Sequence, residues 1–365
     1  MKTSRVFVNH YNCLTPSANN ATELFENICI GKSGIKTNTN YLQGKSVGIG
    51  IIEFNLEEAL VTHIGELLDV SNLKNFEDTL LIIGSSVGGM RLSEEIYLKD
   101  GNYKNINPIL HAIDFIKYKI LQKYKFKDDV AFSTACTSSA NALGYAYEVI
   151  SKGIYKNALV IGYDTLCKTT VGGFNALGVL SSSICQPFSK QRDGMNVAEG
   201  YAVLLLQDEQ LDDAIEMCGV GYSSDAFHMT QPNPQGATKA MQNALLCRGL
   251  DTKDIGYINA HGTGTIANDI SEINAIRSLF GTATPISSTK SITGHTLGAA
   301  GALEAMLSVM VLEKQTLLPN LNLDDPEIAD MNYVTKAQKS EMDYVLSNSL
   351  AFGGNNTSLL FGRKR

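Results

Sequence analysis

Three side chains of types that carry out covalent or acid–base chemistry lie at glycine-rich or small-residue junctions of the sequence. Cys136 lies in STACTSSANALG, between a strand-like run and a helix of small residues. His261 lies in NAHGTGT directly after an apolar run, and His295 ends STKSITGH ahead of a second small-residue helix. A thiol and two imidazoles provide a nucleophile and two groups that donate hydrogen bonds or move protons. This pattern predicts a site of nucleophilic catalysis.

The position of Cys136 at a predicted helix start adds a physical argument. The N-terminus of a helix carries partial positive charge and free N–H groups, which favour a thiolate over a thiol. We therefore expect the pKa of Cys136 to be lowered. The alternative is a buried structural cysteine, and we assign that role to the other six cysteines: Cys13, Cys29, Cys167, Cys185, Cys218 and Cys247.

Metal or nucleotide chemistry is less well supported by the same residues. One cysteine and two histidines are zinc ligands in principle, but no sequential ligand motif or accompanying carboxylate is recognisable. The HGTGT stretch lacks the spacing of a phosphate-binding P-loop. We expect no metal and no organic cofactor. The remaining histidines, at positions 10, 63, 111 and 228, are assigned to packing or surface roles.

Composition limits the class of protein. The chain has 365 residues, 44% hydrophobic content and a net charge of −7, which disfavours nucleic acid as a partner. Its seven cysteines are scattered and include no C-x-x-C pair, which is typical of a reducing cytoplasm. No run approaches the ~20 apolar residues of a membrane helix, and the N-terminus lacks the apolar core of a signal peptide. We expect a cytoplasmic protein without membrane spans.

Strand-like and helix-like segments alternate along the chain, which predicts an α/β fold. Residues 1–210 and 211–365 are expected to form two closely packed halves related by an internal pseudo-repeat. In each half a strand leads through a reactive residue, Cys136 or His295, into a helix rich in Gly and Ala. Two such helices, packed against each other, bring both reactive residues to one place. The pattern also predicts a helix over 107–124.

Together these motifs resemble the elongating type of β-ketoacyl–acyl-carrier-protein synthase. The resemblance rests on TACTSSA, HGTGT and KSITGHTLGAAGALE, and extends to PFSKQRDGMNVAEG (187–200), SSDAFHMTQP (223–232) and NSLAFGGNN (348–356). It implies a thiolase-like five-layer α-β-α-β-α fold made of two pseudo-repeated halves. It also implies an acyltransferase that joins an acyl group on Cys136 to malonyl-carrier by decarboxylative Claisen condensation, in fatty-acid or specialised polyketide or polyene biosynthesis.

The resemblance also implies individual roles. His261 and His295 would stabilise the enolate of the malonyl thioester, and the N–H groups of Cys136 and Phe352 would form an oxyanion hole. Supporting roles fall to Lys290 and Glu304 near the second histidine, to Thr263 and Thr265 along the phosphopantetheine arm, and to Phe352 as a gate between acyl pocket and entrance. The phosphopantetheine would arrive on an acyl carrier protein, and the family forms homodimers or heterodimers with a related subunit.

Two other functions stay open at this stage. One is a thiolase-fold acyltransferase or hydrolase that does not condense; the other is a silent partner subunit resembling a chain-length factor. Thiolases use a further cysteine near the C-terminus, but no cysteine follows Cys247, and initiating synthases carry asparagine where this chain has His295.

The chain is also shorter than typical relatives between residues 35 and 75, a region that carries basic carrier-docking residues in them. A second basic surface for an acidic carrier is offered by five lysines: Lys117, Lys119, Lys123, Lys125 and Lys127.

Overall fold

A computed structural model describes residues 4–71, 73, 76–225, 228 and 232–363. Its strands are β1 Val6–Leu14, β2 Lys36–Asn38, β3 Val47–Gly50, β4 Thr79–Gly84, β5 Asp128–Phe132, β6 Asn157–Asp164, β7 Val197–Ala198, β8 Gly200–Gln207, β9 Ile215–Ser224, β10 Ile255–Asn259, β11 Ile286–Ser287, β12 Thr316–Leu317, β13 Gln338–Lys339, β14 Tyr344–Leu350 and β15 Asn355–Gly362. The α-helices are α1 Ala21–Cys29, α2 Leu56–Val70, α3 Met90–Asp100, α4 Pro108–His111, α5 Ile116–Lys123, α6 Ser138–Ser151, α7 Lys168–Ala176, α8 Pro234–Leu246, α9 Ile266–Phe280, α10 Lys290–Thr293 and α11 Ala300–Lys314. Short 3₁₀ turns cover Thr252–Asp254 and Leu297–Ala299. Half of the quoted 223–232 motif lies outside the described residues.

The main sheet repeats one strand order twice. Its ten strands run β11-β10-β14-β15-β9-β1-β8-β6-β4-β5. Within each half the two strands furthest from the centre pair in parallel with their neighbours, and the three nearest the centre pair antiparallel. The first strands of the two halves, β1 and β9, pair antiparallel at the centre. This repetition confirms the predicted pseudo-repeated halves; the boundary at residues 210 and 211 stays a prediction.

Side-chain alternation along the strands separates the layers. Leu80 and Ile82 of β4 face one core cluster, whereas Leu81 and Ile83 face another, as the period of two in a strand requires. The outer cluster of the first half packs α2 and α5 on the sheet, and that of the second half packs α8 and α9. Helices α6 and α11 lie between the two half-sheets. The order of layers is therefore α-β-α-β-α, as predicted.

Small residues let α6 and α11 approach closely. A side chain on Gly301 would lie 2.6 Å from the backbone nitrogen of Ala140. The N–H of Ala302 donates to the Ser139 hydroxyl across the same contact at 2.8 Å. Both helices are almost fully buried. The predicted contact between the two Gly/Ala-rich helices is confirmed, and their N-terminal ends meet at one region of the protein.

The prediction of a single helix over 107–124 is wrong. The chain forms α4 and α5, separated by residues 112–115; the first of these, Ala112, has a ψ of 154°, which is not helical. The break fits the glycine-rich loop after β4, because a side chain on Gly89 would lie 1.6 Å from the Leu110 carbonyl oxygen. Helices α3, α7 and α10 were not predicted. None of the described helices has the length and apolar character needed to cross a membrane.

Candidate active site

The nucleophile candidate lies between β5 and α6. Ala135, immediately before Cys136, has a φ of +52°, a left-handed conformation that turns the chain sharply into the helix. The Ser138 hydroxyl donates to the Ala135 carbonyl at 2.6 Å and accepts from the Thr134 N–H at 3.0 Å. These bonds hold the turn from both sides. Cys136 is half-buried and faces a pocket.

The first histidine is held by a buried carboxylate that sequence reasoning missed. The N–H groups of His261 and Gly262 both donate to Glu272 of α9, each at 2.8 Å. One turn earlier, Asp269 accepts from the Gly264 N–H at 3.2 Å. Burial raises the pKa of Glu272 to about 7, against the lowering effect of these hydrogen bonds. The helix that follows HGTGT therefore fixes the backbone of that loop.

The second histidine is held through its backbone. The N–H of His295 donates to the Asn196 carbonyl at 2.7 Å, and its carbonyl accepts from the Ala198 N–H at 3.0 Å. Neither ring nitrogen of His295 has a hydrogen-bond partner among the described residues. Its imidazole is buried, and its ring nitrogens are therefore available to form hydrogen bonds with a bound substrate.

The three side chains meet as predicted. The sulfur of Cys136 and a ring nitrogen from each of His261 and His295 all lie within 4.8 Å of one another. The two imidazole rings are nearly perpendicular, at 86°, with centroids 5.2 Å apart. They face a cavity of about 460 Å³, partly open to solvent. Its other lining residues are Phe174, Met195, His228, Pro232, Thr263, Thr265, Asn268 and Leu350 to Gly354. His228, expected in a surface or packing role, is exposed and lies at the edge of this cavity.

Lys290 and Glu304 also meet, and they define the tautomer of His261. The two form a buried ion pair, and Lys290 Nζ donates to the His261 carbonyl at 2.6 Å. The same Nζ lies 3.3 Å from His261 Nδ1. An ammonium group only donates, so Nδ1 must accept, and the neutral ring carries its proton on Nε2. His261 therefore presents a donor on the side away from Lys290.

The electrostatics correct one expectation. Burial raises the pKa of the Cys136 thiol to about 12, and the nearby Lys290 only partly opposes this. The predicted lowering of this pKa is therefore wrong, because desolvation of the thiolate outweighs the lowering effects of Lys290 and of the Cys136 backbone N–H. Burial and the charge of Lys290 hold the pKa of both histidines well below the usual value, so both rings are neutral.

A second cavity adjoins the first at Phe352 and Thr265, which line both. It has a volume of about 740 Å³, including open solvent, and it reaches the exposed side chains of Leu177 and Ile266. The hydroxyls of Thr263 and Thr265 lie 2.9 Å apart at this junction. Phe352 is followed by Gly353 and Gly354, both with positive φ. The predicted gate and hydroxyl pair thus lie together between surface and catalytic pocket.

The three reactive atoms also have the spacing that a metal ion requires. Lys290, however, places a cation against Nδ1 of His261, where a metal-binding histidine normally has a carboxylate or carbonyl partner. The charge of Lys290 opposes a second cation at this place. The donor set therefore fits a neutral or anionic substrate better than a metal.

Comparison with known families and proteins decides the class. The β-ketoacyl synthase N-terminal domain matches residues 57–212, and the C-terminal domain of the same family matches residues 214–324. The chain belongs to the β-ketoacyl synthase family. It is 32% identical to 3-oxoacyl-[acyl-carrier-protein] synthase 2 of Coxiella burnetii, over 100% of this chain and 99% of the relative. A synthase of the same name from Staphylococcus aureus is 33% identical over 76% of this chain and 75% of the relative.

Solved structures agree with this assignment. The ketosynthase ApeO of Xenorhabdus doucetiae, solved in complex with its chain length factor ApeC, superposes with a TM-score of 0.90 at 32% identity, covering 99% of this chain and 98% of that one. A β-ketoacyl synthase from Burkholderia phymatum gives 0.88 at 28% identity, covering 99% and 100%. The predicted family, the thiolase-like fold and the class of C–C bond-forming acyltransferase are confirmed.

The alignment with the Coxiella protein spans 415 positions, 50 more than the 365 residues of this chain. At least 50 positions of the alignment therefore have no residue of this chain; the placement of the shortening between residues 35 and 75 stays a prediction.

Proposed function

We propose that this chain carries an acyl group on Cys136 and condenses it with malonyl-carrier, releasing carbon dioxide and a β-ketoacyl-carrier product. The observation that carries the proposal is the meeting of one thiol and two neutral imidazoles within 4.8 Å at the floor of a pocket. This arrangement provides a nucleophile and two donors, and both half-reactions use them at one place.

In the first half-reaction the thiol of Cys136 attacks the acyl-carrier thioester. The bond between the acyl carbonyl and the carrier sulfur breaks, the acyl–Cys136 bond forms, and the proton of the Cys136 thiol passes to the departing carrier thiolate. The negative charge that develops on the carbonyl oxygen needs aimed donors, each worth about 3–4 kcal/mol in such sites. We assign this role to the backbone N–H groups of Cys136 and Phe352.

In the second half-reaction malonyl-carrier loses carbon dioxide and leaves an enolate. His261 donates from Nε2 to the enolate oxygen, because Lys290 holds its proton there. His295, whose ring has no other partner among the described residues, is the second donor. The enolate carbon then attacks the acyl–Cys136 thioester. The new carbon–carbon bond forms, the Cys136–acyl bond breaks, and the Cys136 thiolate takes up one proton from water.

The other assignments follow the path of the substrate. Thr263 and Thr265 bind the phosphopantetheine arm, Phe352 separates it from the acyl pocket, and Glu304 keeps Lys290 in place. The reaction as written needs no metal and no organic cofactor of the enzyme, since the phosphopantetheine is part of the carrier-bound substrate.

Two partners are part of the proposal. The first is an acyl carrier protein, and the lysines predicted as its docking surface differ in how free they are. Lys117 pairs with Asp114 and Asp129, so its charge is already compensated.

The second proposed partner is another copy of the chain or a related subunit. Edge strand β5, only partly buried, and exposed apolar residues of the nearby segment, including Tyr103 and Ile109, support pairing on that side.

Intact-mass measurement after incubation with a panel of acyl-carrier thioesters tests the function. We expect a single acyl adduct that is absent in Cys136→Ala and is discharged when malonyl-carrier is added. Discharge only by water would indicate the acyltransferase or hydrolase alternative. Absence of an adduct with every acyl length, in folded protein, would indicate a silent partner subunit.

A further inference from the structure

A buried carboxylate outside the catalytic set connects the two halves of the site. Asp164 ends β6 and is completely buried. Its Oδ1 accepts from the Ser85 hydroxyl at 2.6 Å and from the Val87 N–H at 3.0 Å. The Ser86 N–H lies 3.1 and 3.0 Å from the two carboxylate oxygens. These donors fix the loop that follows β4.

The same carboxylate reaches the second half of the protein. Its Oδ2 accepts from the N–H of Gly298 at 2.6 Å, three residues after His295. Gly298 lacks a side chain at a point where one would lie 2.8 Å from Oδ2 and 2.6 Å from the Ser86 nitrogen. The preceding residue, Leu297, is buried with a φ of +53°, so the chain is turned sharply toward this contact.

A further bond continues from this loop to the nucleophile. The Ser86 hydroxyl donates to the Ala135 carbonyl at 2.8 Å, and Ala135 immediately precedes Cys136. Asp164 is therefore connected through Ser86 to the turn that bears the thiol. A direct hydrogen bond from Gly298 connects it to the segment that bears His295. All of its partners in the described structure are backbone N–H groups or a hydroxyl that donate to it.

We propose that Asp164 is a positioning residue that sets the placement of Cys136 relative to His295. The inference rests on the proposed condensing function. Its physical basis is that four donors converge on one carboxylate, so no neutral group of the same size satisfies them all. The carbon–carbon bond forms only if the acyl group on Cys136 and the enolate held by the histidines are aligned. A displacement of about 1 Å at such a place costs on the order of 100-fold in rate.

Asp164→Asn tests the inference, because the amide nitrogen keeps the shape and meets donors where the carboxylate oxygen accepted. Condensation per acylated subunit is expected to fall roughly 10- to 100-fold, with each half-reaction alone less affected. Alkylation of Cys136 by iodoacetamide is expected to be no slower, because the variant removes a negative charge that raises the pKa of the thiol. Buried Cys13 should stay unlabelled, which reports an intact fold.

Tyr163→Phe is the matched control. It removes a 2.8 Å hydrogen bond to a buried carboxylate, Glu57, from the adjacent residue of the same strand, but on the outer layer. We expect its condensation rate to match wild type. Equal condensation by Asp164→Asn and Tyr163→Phe would overturn the inference. Failure of wild type to condense in the same assay would instead count against the proposed function.

Ser86→Ala provides an independent test if Asp164→Asn does not fold. It removes only the bond to the Ala135 carbonyl, so acyl transfer to Cys136 should slow by about fivefold, the value of one hydrogen bond. Decarboxylation of malonyl-carrier, which depends on the histidines, should be unchanged. Acyl transfer at the wild-type rate would overturn the inference.

Discussion

Replacing Lys290 by Met removes the group that fixes the tautomer of His261. In the structure Lys290 Nζ lies 3.3 Å from Nδ1, so Nε2 carries the proton that faces the substrate. Without the lysine, either nitrogen carries it, and part of the population loses the donor. An enolate oxygen bound to Nε2 lies roughly 8 Å from Nζ, where the attraction is at most about 2 kcal/mol at an effective dielectric constant of about 20. Glu304 opposes part of this, and we expect decarboxylation to slow roughly 10- to 30-fold.

The assay is release of carbon dioxide from malonyl-carrier in the absence of an acyl primer, which isolates the enolate step. The double variant Lys290→Met with Glu304→Gln is the matched control. It removes the carboxylate left unpaired by the single change, which otherwise destabilises the fold by about 3–5 kcal/mol. We expect the double variant to unfold at a higher temperature than Lys290→Met and to decarboxylate somewhat faster than it, because the opposing carboxylate is also gone, but still more slowly than wild type. A rate within twofold of wild type for the double variant would refute the assignment of His261 as a lysine-fixed donor.

Three further predictions concern the remaining site residues. Thr263→Val and Thr265→Val should each raise KM for carrier-bound substrates roughly fivefold, the value of one hydrogen bond. The control is Thr238→Val, a half-buried threonine of α8 that lines neither cavity; an unchanged KM in both site variants would exclude the hydroxyls from binding the arm. Phe352→Ala should accelerate alkylation of Cys136 and slow condensation, whereas Leu177→Ala, which lines only the outer cavity, should change neither; equal effects would contradict a gate. Because burial raises the pKa of Cys136 to about 12, its alkylation rate should increase about tenfold per unit from about pH 7 to 10; a plateau near neutral pH would show that the helix start dominates.

The sequence motifs were sufficient for the fold class and for the residues that meet in the pocket. Cys136 and His295 follow corresponding strands of a repeated topology, so a pattern of strand, reactive residue and small-residue helix predicted their proximity. Lys290 and Glu304 were expected as a supporting pair only from the resemblance to the synthase family.

Residues whose roles depend on contacts formed only in the folded interior were not predicted. Asp164 and Glu272 read as ordinary polar residues at a strand end and on a helix, because the donors that surround them come from distant segments. The sign of the pKa shift at Cys136 was wrong for the same reason, since desolvation depends on everything packed around the thiol. The single helix over 107–124 failed because the close approach of Gly89 to Leu110 is a tertiary contact.

The most direct test of the central claim is to follow acyl–Cys136 enzyme mixed with malonyl-carrier and to measure the carrier product and carbon dioxide together. We predict one β-ketoacyl-carrier, longer by two carbons, and one carbon dioxide for each acyl group lost from Cys136. We also predict that the single variants His261→Ala and His295→Ala remain acylated. Loss of the acyl group as free acid, without a longer carrier product, would contradict the account.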